Sequence, residues 1–240
     1  MASNGVLHAI AFRPRLVPTL VAVPMFLALI ALGFWQVARL EEKNAINAYR
    51  AERAAATPVE LPVIPGDLAV YDFRRVRVTG RFANDRELYM YGRSQHGNDG
   101  YYLIVPLVRD SGPPVLVNRG WVPSDRKLPA ARPGSEPDGP VTVTAFLRHD
   151  ARQGWLMPDN SPERNVWFWF DLPAMSKAAG IPPVTFYLEA DATPNPGGLP
   201  VGGQTQIELP SPHLQYAITW FALALGLAVI YVVWHKQRAS

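Results

Sequence analysis

The chain contains 240 residues, of which 48% are hydrophobic and 18% are charged, which suits one or two domains with a packed core and excludes disorder throughout. It contains no cysteine, which excludes disulfide bonds, thiolate metal sites and cysteine nucleophiles. The net charge of +3 comes from the two tails, because residues 39–213 hold 19 basic and 20 acidic side chains, so a basic nucleic-acid-binding face is not expected.

The first predicted element is an uncharged run of 23 residues, 16–38, which lies between Arg15 and Arg39. At 1.5 Å per residue a helix over this run is about 35 Å long and crosses a hydrocarbon layer about 30 Å thick. A cleaved signal peptide, the alternative, has an apolar region of only about 7 to 15 residues. We therefore predict an uncleaved transmembrane helix over 16–38, preceded by a cytoplasmic tail over 1–15.

Residues 39–213 are predicted to form a β-rich domain that begins with a helix. Residues 41–56 favour an amphipathic helix, and prolines at 58, 62 and 65 follow it. Seven later runs alternate polar and apolar residues or are rich in β-branched and aromatic residues, and turn residues separate them. They predict an antiparallel sheet or a partly closed barrel, with strands over 75–79, 87–91, 101–105, 115–118, 141–146, 167–170 and 184–188.

Three connecting segments complete the predicted domain. A short helix is expected from Leu172 to Ala179, and Gly180 is expected to end it. Proline and glycine predict an exposed loop over 128–140 and a flexible connection over 195–203.

The last predicted element is an uncharged run of 21 residues, 214–234, between His213 and His235. It predicts a second transmembrane helix, followed by a cytoplasmic tail over 235–240. Lysine and arginine near the membrane number four on each side, but a loop of 175 residues is exported largely regardless of its charge. The predicted fold class is an α+β membrane protein with a mostly antiparallel extracytoplasmic domain. A bacterial inner membrane is favoured, with the domain in the periplasm.

No pattern typical of common hydrolases, proteases or nucleotide-binding proteins occurs in the sequence. No catalytic residue is assigned, and an enzyme is not indicated. The histidines at 8, 96, 149, 213 and 235 include no pair at metal-binding spacing. Of these, His96 is interpreted as a turn residue, His149 as a solvated strand end and His235 as a contact to lipid headgroups. The five methionines are dispersed, which does not favour a copper site.

His213 opens the second predicted span and shares one helix face with aromatic and small residues. At 100° per residue this face also contains Ala217, Trp220, Ala224, Leu227 and Tyr231. A similar face is predicted on the first span from Pro24, Ala28, Ala31 and Trp35, with Arg39 at its end. Such faces can hold a porphyrin, with His213 on the iron and Arg39 at the propionates. Alternatively, the small residues only allow two helices to pack, and the aromatic and basic residues anchor them in the membrane.

Several sequence blocks occur in a fixed order between about residues 16 and 234. They are LGFWQVARLEEKNAI (32–46), FRRVRVTGRF (73–82), GYYLIVPL (100–107), VLVNRGWVP (115–123) and HLQYAITWFALA (213–224), with single matches at Asn165, Trp167, Asp171 and Tyr231. In these blocks the chain resembles the surfeit-locus proteins, which are assembly factors of cytochrome c oxidase.

The resemblance implies a non-enzymatic, chaperone-like role in maturing the haem–copper oxidase, near the insertion of haem a into subunit I. It implies the lipid bilayer, cytochrome c oxidase subunit I and haem a synthase as partners, and haem a as a cofactor. The haem iron would be bound by His213, with Trp220, Trp35 and Arg39 around the porphyrin. The alternative within the family is a scaffold that holds an oxidase subunit without binding haem.

The block at 115–123 has two interpretations that the sequence leaves open. Arg119 and Trp121 follow a strand-like run and precede a turn, so they can simply build the sheet. Arg and Trp are also favoured in protein-contact hot spots, so both are candidate partner-binding residues.

Overall fold

The computed structural model describes residues 10–12, 14–95, 97–149 and 153–238. It divides the chain into two compact units, one formed by the two ends of the chain and one formed by residues 50–207. The interpretation of His96 as a turn residue, and the tail residue His8, lie outside the described residues.

The secondary structure contains three α-helices and nine strands in the part of the chain that the structure describes. In chain order they are β1 (Ile10–Phe12), α1 (Leu16–Ala55), β2 (Val59–Glu60), β3 (Arg75–Phe82), β4 (Leu88–Gln95), β5 (Asn98–Arg109), β6 (Val115–Pro123), β7 (Val141–Arg148), α2 (Leu172–Ala178), β8 (Tyr187–Ala190), α3 (His213–His235) and β9 (Lys236–Arg238). Short 3₁₀ turns occur at Leu68–Tyr71, Asn84–Arg86, Ser124–Arg126, Pro129–Ala131, Pro162–Arg164 and Pro196–Gly198.

Helices α1 and α3 form most of the first unit, and strands β1 and β9 pair beside them. Both helices are long and apolar enough to cross a membrane. The helix predicted over 41–56 is the second part of α1, which ends at Ala55. No glycine or proline lies between Gly33 and Pro58, so nothing in the sequence interrupts the helix earlier.

The second unit is a sheet of seven strands in the order β2-β3-β7-β8-β6-β5-β4. The last residues of β3 also pair with β5, from Gly80 opposite Arg109 to Phe82 opposite Leu107. This pairing closes β3, β7, β8, β6 and β5 into a ring, so the partly closed barrel predicted from the sequence is present.

The predicted antiparallel arrangement is corrected, because the sheet is mixed. Strand β2 is parallel to β3, and β8 is parallel to β6. Strand β8 reaches its place after the long segment that contains α2, and such a connection allows parallel pairing.

The strand predicted over 167–170 is wrong, since only isolated bridges occur there. Asn165 has a left-handed φ of +51°, and its side chain accepts a hydrogen bond from Nε1 of Trp167 at 2.8 Å. The Asn160 side chain accepts from the backbone N–H of Phe168. These local hydrogen bonds compete with a sheet ladder, and Trp167 is buried as a packing residue.

Two hydrophobic clusters hold the second unit together. One contains Val76, Val78, Val115, Val117 and Leu147 among its members, and the other packs Leu88, Ile104 and Leu116 against Leu172 and Met175 of α2. Strand β6 is therefore buried on both faces, which explains its continuous apolar run at 115–117.

Both predicted loops are more tightly held than the sequence suggested. In the loop over 128–140, Arg132 and Ser135 are buried. In the connection over 195–203, Val201 exchanges two backbone hydrogen bonds with Trp121, at 2.9 and 2.8 Å. Hydrogen bonds to residues distant in the sequence, Glu87 for the first segment and Trp121 for the second, hold both segments in place. The local composition does not predict such bonds.

Candidate functional site

Helices α1 and α3 pack side by side in antiparallel directions. Thr19 near the start of α1 hydrogen-bonds the Tyr231 hydroxyl near the end of α3, at 2.6 Å. Near the other end of the pair, the Asn47 side chain exchanges two hydrogen bonds with the backbone of Leu209, each at 3.0 Å. The bond between Thr19 and Tyr231 is interhelical, and such bonds contribute to helix packing in membranes. The bonds of Asn47 instead fix the segment just before α3 to α1.

His213, at the start of α3, hydrogen-bonds Gln36 of α1. Its Nδ1 lies 2.7 Å from Oε1 of Gln36, and Gln36 is only 8% exposed. When Nδ1 donates to this amide oxygen, the lone pair of the neutral ring is on Nε2. When a histidine binds a metal through one ring nitrogen, its other ring nitrogen usually donates a hydrogen bond to a nearby acceptor, as Nδ1 does to Gln36 here.

The predicted face of α3 points toward α1. Ala217 and Ala224 are buried, and His213 and Trp220 are half-buried. The indole Nε1 of Trp220 is buried and has no hydrogen-bond partner among the described residues. Buried indole N–H groups usually have a partner, so this donor is a candidate contact for a bound group.

The face predicted for α1 is not the face buried in the helix pair. Pro24, Ala28 and Ala31 are exposed, and Trp35 is 57% exposed. The buried residues of α1 are Gly33 and Gln36 instead, and a Cβ atom on Gly33 would lie 2.5 Å from the Phe221 ring. A span that is apolar all round gives no periodicity from which to choose a face.

Arg39 has a partner on its own helix. Its guanidinium forms an ion pair with Glu42, one turn further along α1. The roles predicted for Trp35 and Arg39 beside a porphyrin stay predictions. The structure brings His213 to Gln36, a residue to which the sequence assigned no role, although a polar amide side chain within an uncharged span is itself a signal.

An apolar groove of about 200 Å³ lies between the helices, lined by Ala22, Val23, Phe26, Leu227, Ala228, Tyr231 and Val232. Leu227 is 14 residues after His213, which corresponds to about 21 Å along α3. The groove and the imidazole are therefore separate features of the helix pair.

These residues fit a haem in part. His213, held by Gln36, would supply the nitrogen ligand, and Trp220 has a donor without a partner among the described residues. Trp35 is exposed and Arg39 is paired with Glu42. Among the described residues no three His, Cys, Asp or Glu side chains are grouped as ligands for a metal ion. A single histidine is nevertheless sufficient as the protein ligand of a haem iron.

Arg119 and Trp121 are buried, at 1% and 7% exposure, and this corrects their prediction as partner-binding residues. A side chain enclosed by its own domain offers no surface to a partner. The structure supports the other interpretation, because Trp121 is part of β6 and its backbone binds Val201.

Arg119 belongs to a buried polar network that joins β4, β6 and the loop over 128–140. Tyr89 and Arg132 both donate to Glu87, Arg132 donates to the Ser135 hydroxyl, and Arg119 donates to the Ser135 carbonyl. Burial raises the pKa of Glu87, although Arg132 opposes this shift. Burial and then Glu87 raise the pKa of Tyr89 to about 12.

Comparison with known proteins identifies relatives over most of the chain. Residues 23–225 match the SURF1 family. A SURF1-like protein of Monosiga brevicollis is 34% identical over 232 residues, which are 92% of this chain and 88% of that protein. Surfeit locus protein 1 of Homo sapiens is 33% identical, covering 86% of this chain and 72% of its own. A SURF1-like protein of Rickettsia bellii is 32% identical, covering 90% and 89%.

Proposed function

Because the chain belongs to the SURF1 family of cytochrome oxidase assembly factors, we propose that this membrane-anchored protein assists the maturation of oxidase subunit I around haem a insertion. The two apolar helices anchor the protein in the membrane, and the barrel domain lies in the periplasm of a bacterial inner membrane. In this proposal the protein binds both haem a synthase and subunit I, so that haem a is transferred from the synthase to subunit I while both are bound to it.

The observation that carries the cofactor part of this proposal is the hydrogen bond between His213 and Gln36. With Nδ1 bonded to Gln36, Nε2 of His213 would hold the iron, and the unpaired indole N–H of Trp220 would be a donor to the same ligand. A haem bound here would supply an iron atom that takes a histidine axial ligand. A helix pair at membrane depth also gives the apolar tail of haem a surroundings that it prefers to water.

The test is an absorption spectrum of the full chain purified in mild detergent from cells that synthesise haem a. We expect a haem a spectrum in the wild type and none in His213→Ala. Gln36→Leu should give a weaker and shifted spectrum, because it removes the hydrogen bond between Gln36 and Nδ1 of His213. His235→Ala is the matched control, since it removes a histidine from the other end of the same helix.

A colourless wild-type protein would contradict the carrier role. A pigment that persists in His213→Ala would contradict the assignment of the ligand. The amount of assembled oxidase is then measured in cells that carry each variant. This measurement distinguishes the haem-binding part of the proposal from the assembly part. An assembly defect in His213→Ala links the ligand to function, and normal assembly in cells without this protein would contradict the assembly role itself.

A second candidate function is a scaffold that holds an oxidase subunit without haem, and an exposed turn of the barrel domain favours it. Gly154 and Met157 close this turn through a backbone hydrogen bond of 2.9 Å, and the Gln153 side chain donates to the Met157 carbonyl. The turn leaves Trp155 and Leu156 at 92% and 76% exposure. Neighbouring exposed apolar side chains of this size are typical of protein contacts.

The scaffold function is tested with the double variant Trp155→Ser and Leu156→Ser. We expect it to lose co-purification of subunit I while its own yield and thermal stability are unchanged, because both side chains are exposed. Ile64→Ser is the matched control, since Ile64 is also exposed, at 78%, on the same domain. Unchanged co-purification in the double variant would contradict a contact through this turn.

A further inference from the structure

A cavity of about 180 Å³ lies at one end of the barrel. The end of β3, the start of β7, the segment after β8 and Arg119 of β6 form its wall. These positions meet because β7 is antiparallel to β3, and β8 is antiparallel to β7. Mouths of β-barrels are common places for small-molecule sites.

A β-bulge determines the position of Arg119. Leu103 of β5 pairs with Gly120, and the next residue, Ile104, pairs with Asn118, so Arg119 is the extra residue of β6. Gly120 beside it has a φ of +130°, a conformation that favours glycine. Bulges redirect a side chain and occur often beside functional sites.

The guanidinium of Arg119 is buried without a carboxylate bonded to it. Its Nη2 donates to the Ser135 carbonyl at 2.7 Å and to Oδ1 of Asn195 at 3.2 Å, and the Phe82 ring lies 4.6 Å from Cζ. Its Nε and Nη1 have no hydrogen-bond partner among the described residues. The groups that accept these bonds are neutral, and the carboxylates of Glu87 and Glu136 act on Arg119 only through space. An anion in the adjacent cavity would accept from the two donors that have no partner.

Arg109 shows what a purely structural buried arginine looks like in the same domain. Its two terminal nitrogens donate to the three successive carbonyls of Leu61, Pro62 and Val63, at 2.7 to 3.1 Å. Those bonds fix the segment before β3. The Nε of Arg109 has no partner either, but both of its terminal nitrogens are bonded, whereas Nη1 of Arg119 is not. Of the two arginines, only Arg119 lines the cavity.

The cavity wall indicates the class of ligand. Seven of its thirteen lining residues are apolar, namely Phe82, Pro137, Val141, Val143, Ala190, Pro194 and Pro196, and Thr142, Thr144, Thr193 and Asn195 add uncharged polar groups. Asp191, which forms an ion pair with Arg75 at 3.9 Å, is the single acidic residue among the lining residues. Its charge disfavours a dianion such as phosphate about twice as strongly as a monoanion. The volume is below the roughly 300 Å³ at which common ligand pockets begin.

We propose that Arg119 binds the carboxylate of a small aliphatic monocarboxylic acid in this cavity, whose apolar part packs against the prolines and valines of the wall. The planar guanidinium matches a carboxylate in geometry as well as in charge. This site belongs to the barrel domain and does not depend on haem binding.

The test is calorimetric titration of the full chain in detergent at neutral pH with butyrate, butyramide and phosphate at constant ionic strength. We expect saturable binding of butyrate and none of butyramide, which has the same shape without charge. Saturable binding of phosphate in place of butyrate, or equal binding of butyrate and butyramide, would overturn the proposal. Absence of saturable butyrate binding would overturn it as well.

Two variants locate the site. Arg119→Lys keeps the charge but loses the planar fork, and we expect butyrate affinity to fall by about tenfold or more. Thr193→Phe places a ring at the exposed rim, leaves the buried network intact and should abolish binding. Arg109→Lys is the matched control and should bind as the wild type does. Wild-type affinity in Thr193→Phe would overturn the location of the site even if Arg119→Lys fails to fold.

Discussion

Gly33 is the residue that allows α1 and α3 to approach each other. A Cβ atom there would lie 2.5 to 2.9 Å from three atoms of the Phe221 ring, which also packs edge-on against Phe34 at 5.4 Å. Small residues at such positions are the usual basis of helix packing in membranes. The same approach brings Gln36, one turn later, to His213.

We predict that Gly33→Ala lowers the free energy of unfolding of the full chain in detergent by about 1 to 3 kcal/mol, because the Phe221 ring must move. Gly226→Ala is the matched control, since nothing lies within 4 Å of the added Cβ atom. It should be neutral or stabilising, because alanine favours a helix over glycine by up to about 1 kcal/mol. Equal effects of the two substitutions would contradict close packing at Gly33.

Tyr89 supplies a prediction about pH. Its pKa in the folded protein is about 12, raised from the ordinary value of 10.0, so the folded state holds the proton more tightly than the unfolded state does. The stability that Tyr89 contributes is therefore complete below pH 10 and is lost as the pH rises through 12.

The measurement for Tyr89 is phenolate absorbance as a function of pH, wild type minus Tyr89→Phe. We expect the difference to rise near pH 12. A rise at the ordinary tyrosine pKa would show that the phenol is neither buried nor placed beside Glu87.

At the scale of elements, the segment that contains Val201, just after Pro200, pairs with β6, and we call it the strap. It is held by the paired backbone bonds of Val201 and Trp121, and Gly120 makes room for it. A Cβ atom on Gly120 would lie 2.1 Å from the Val201 carbonyl oxygen, which is backbone and cannot swing aside.

We predict that Gly120→Ala releases this strap. The steric conflict adds to the strain of an alanine at a φ of +130°, so we expect a loss of stability of more than about 1 kcal/mol and faster amide hydrogen exchange at Trp121 and Val201. Gly66→Ala is the matched control, because its Cβ atom meets nothing within 4 Å. Unchanged exchange in Gly120→Ala would show that the strap does not depend on that glycine.

The elements differ in how far the sequence could predict them. The α3 face was predictable because His213, Trp220 and Tyr231 recur at helical spacing among smaller residues. The α1 face was not, since its span carries large apolar residues on every side. The run at 167–170 has strand composition, yet side-chain hydrogen bonds from Asn160 and Asn165 impose turns there.

At the scale of the whole molecule, what the sequence could not predict is contact between distant residues. The parallel pairing of β6 with β8 joins Leu116 to Tyr187, and no local pattern records such a partner. Burial of Arg119 follows from a register shift against β5, which is also a property of two strands together. The candidate imidazole could be named from one helix, but its acceptor, Gln36, required the packed pair.

Helices α1 and α3, which are long and apolar enough to cross a membrane, lead to a prediction about which side of the membrane each part of the chain occupies. Two spans would place both ends of the chain on one side and the barrel on the other. A long loop is exported largely regardless of its charge. Because the chain has no cysteine, a single introduced cysteine reports its own side without any background. We choose Asp138→Cys, on an exposed loop of the barrel domain, and Lys236→Cys, just after α3.

In cells whose outer membrane has been opened, a membrane-impermeant maleimide should label Asp138→Cys in the intact inner membrane. It should label Lys236→Cys only after that membrane is permeabilised. The reverse pattern would place the barrel, its exposed Trp155 turn and the His213 end of α3 in the cytoplasm, and partners would then have to be sought on that side. Labelling of both residues before permeabilisation would contradict the two-span topology, since it places both positions on one side of the bilayer.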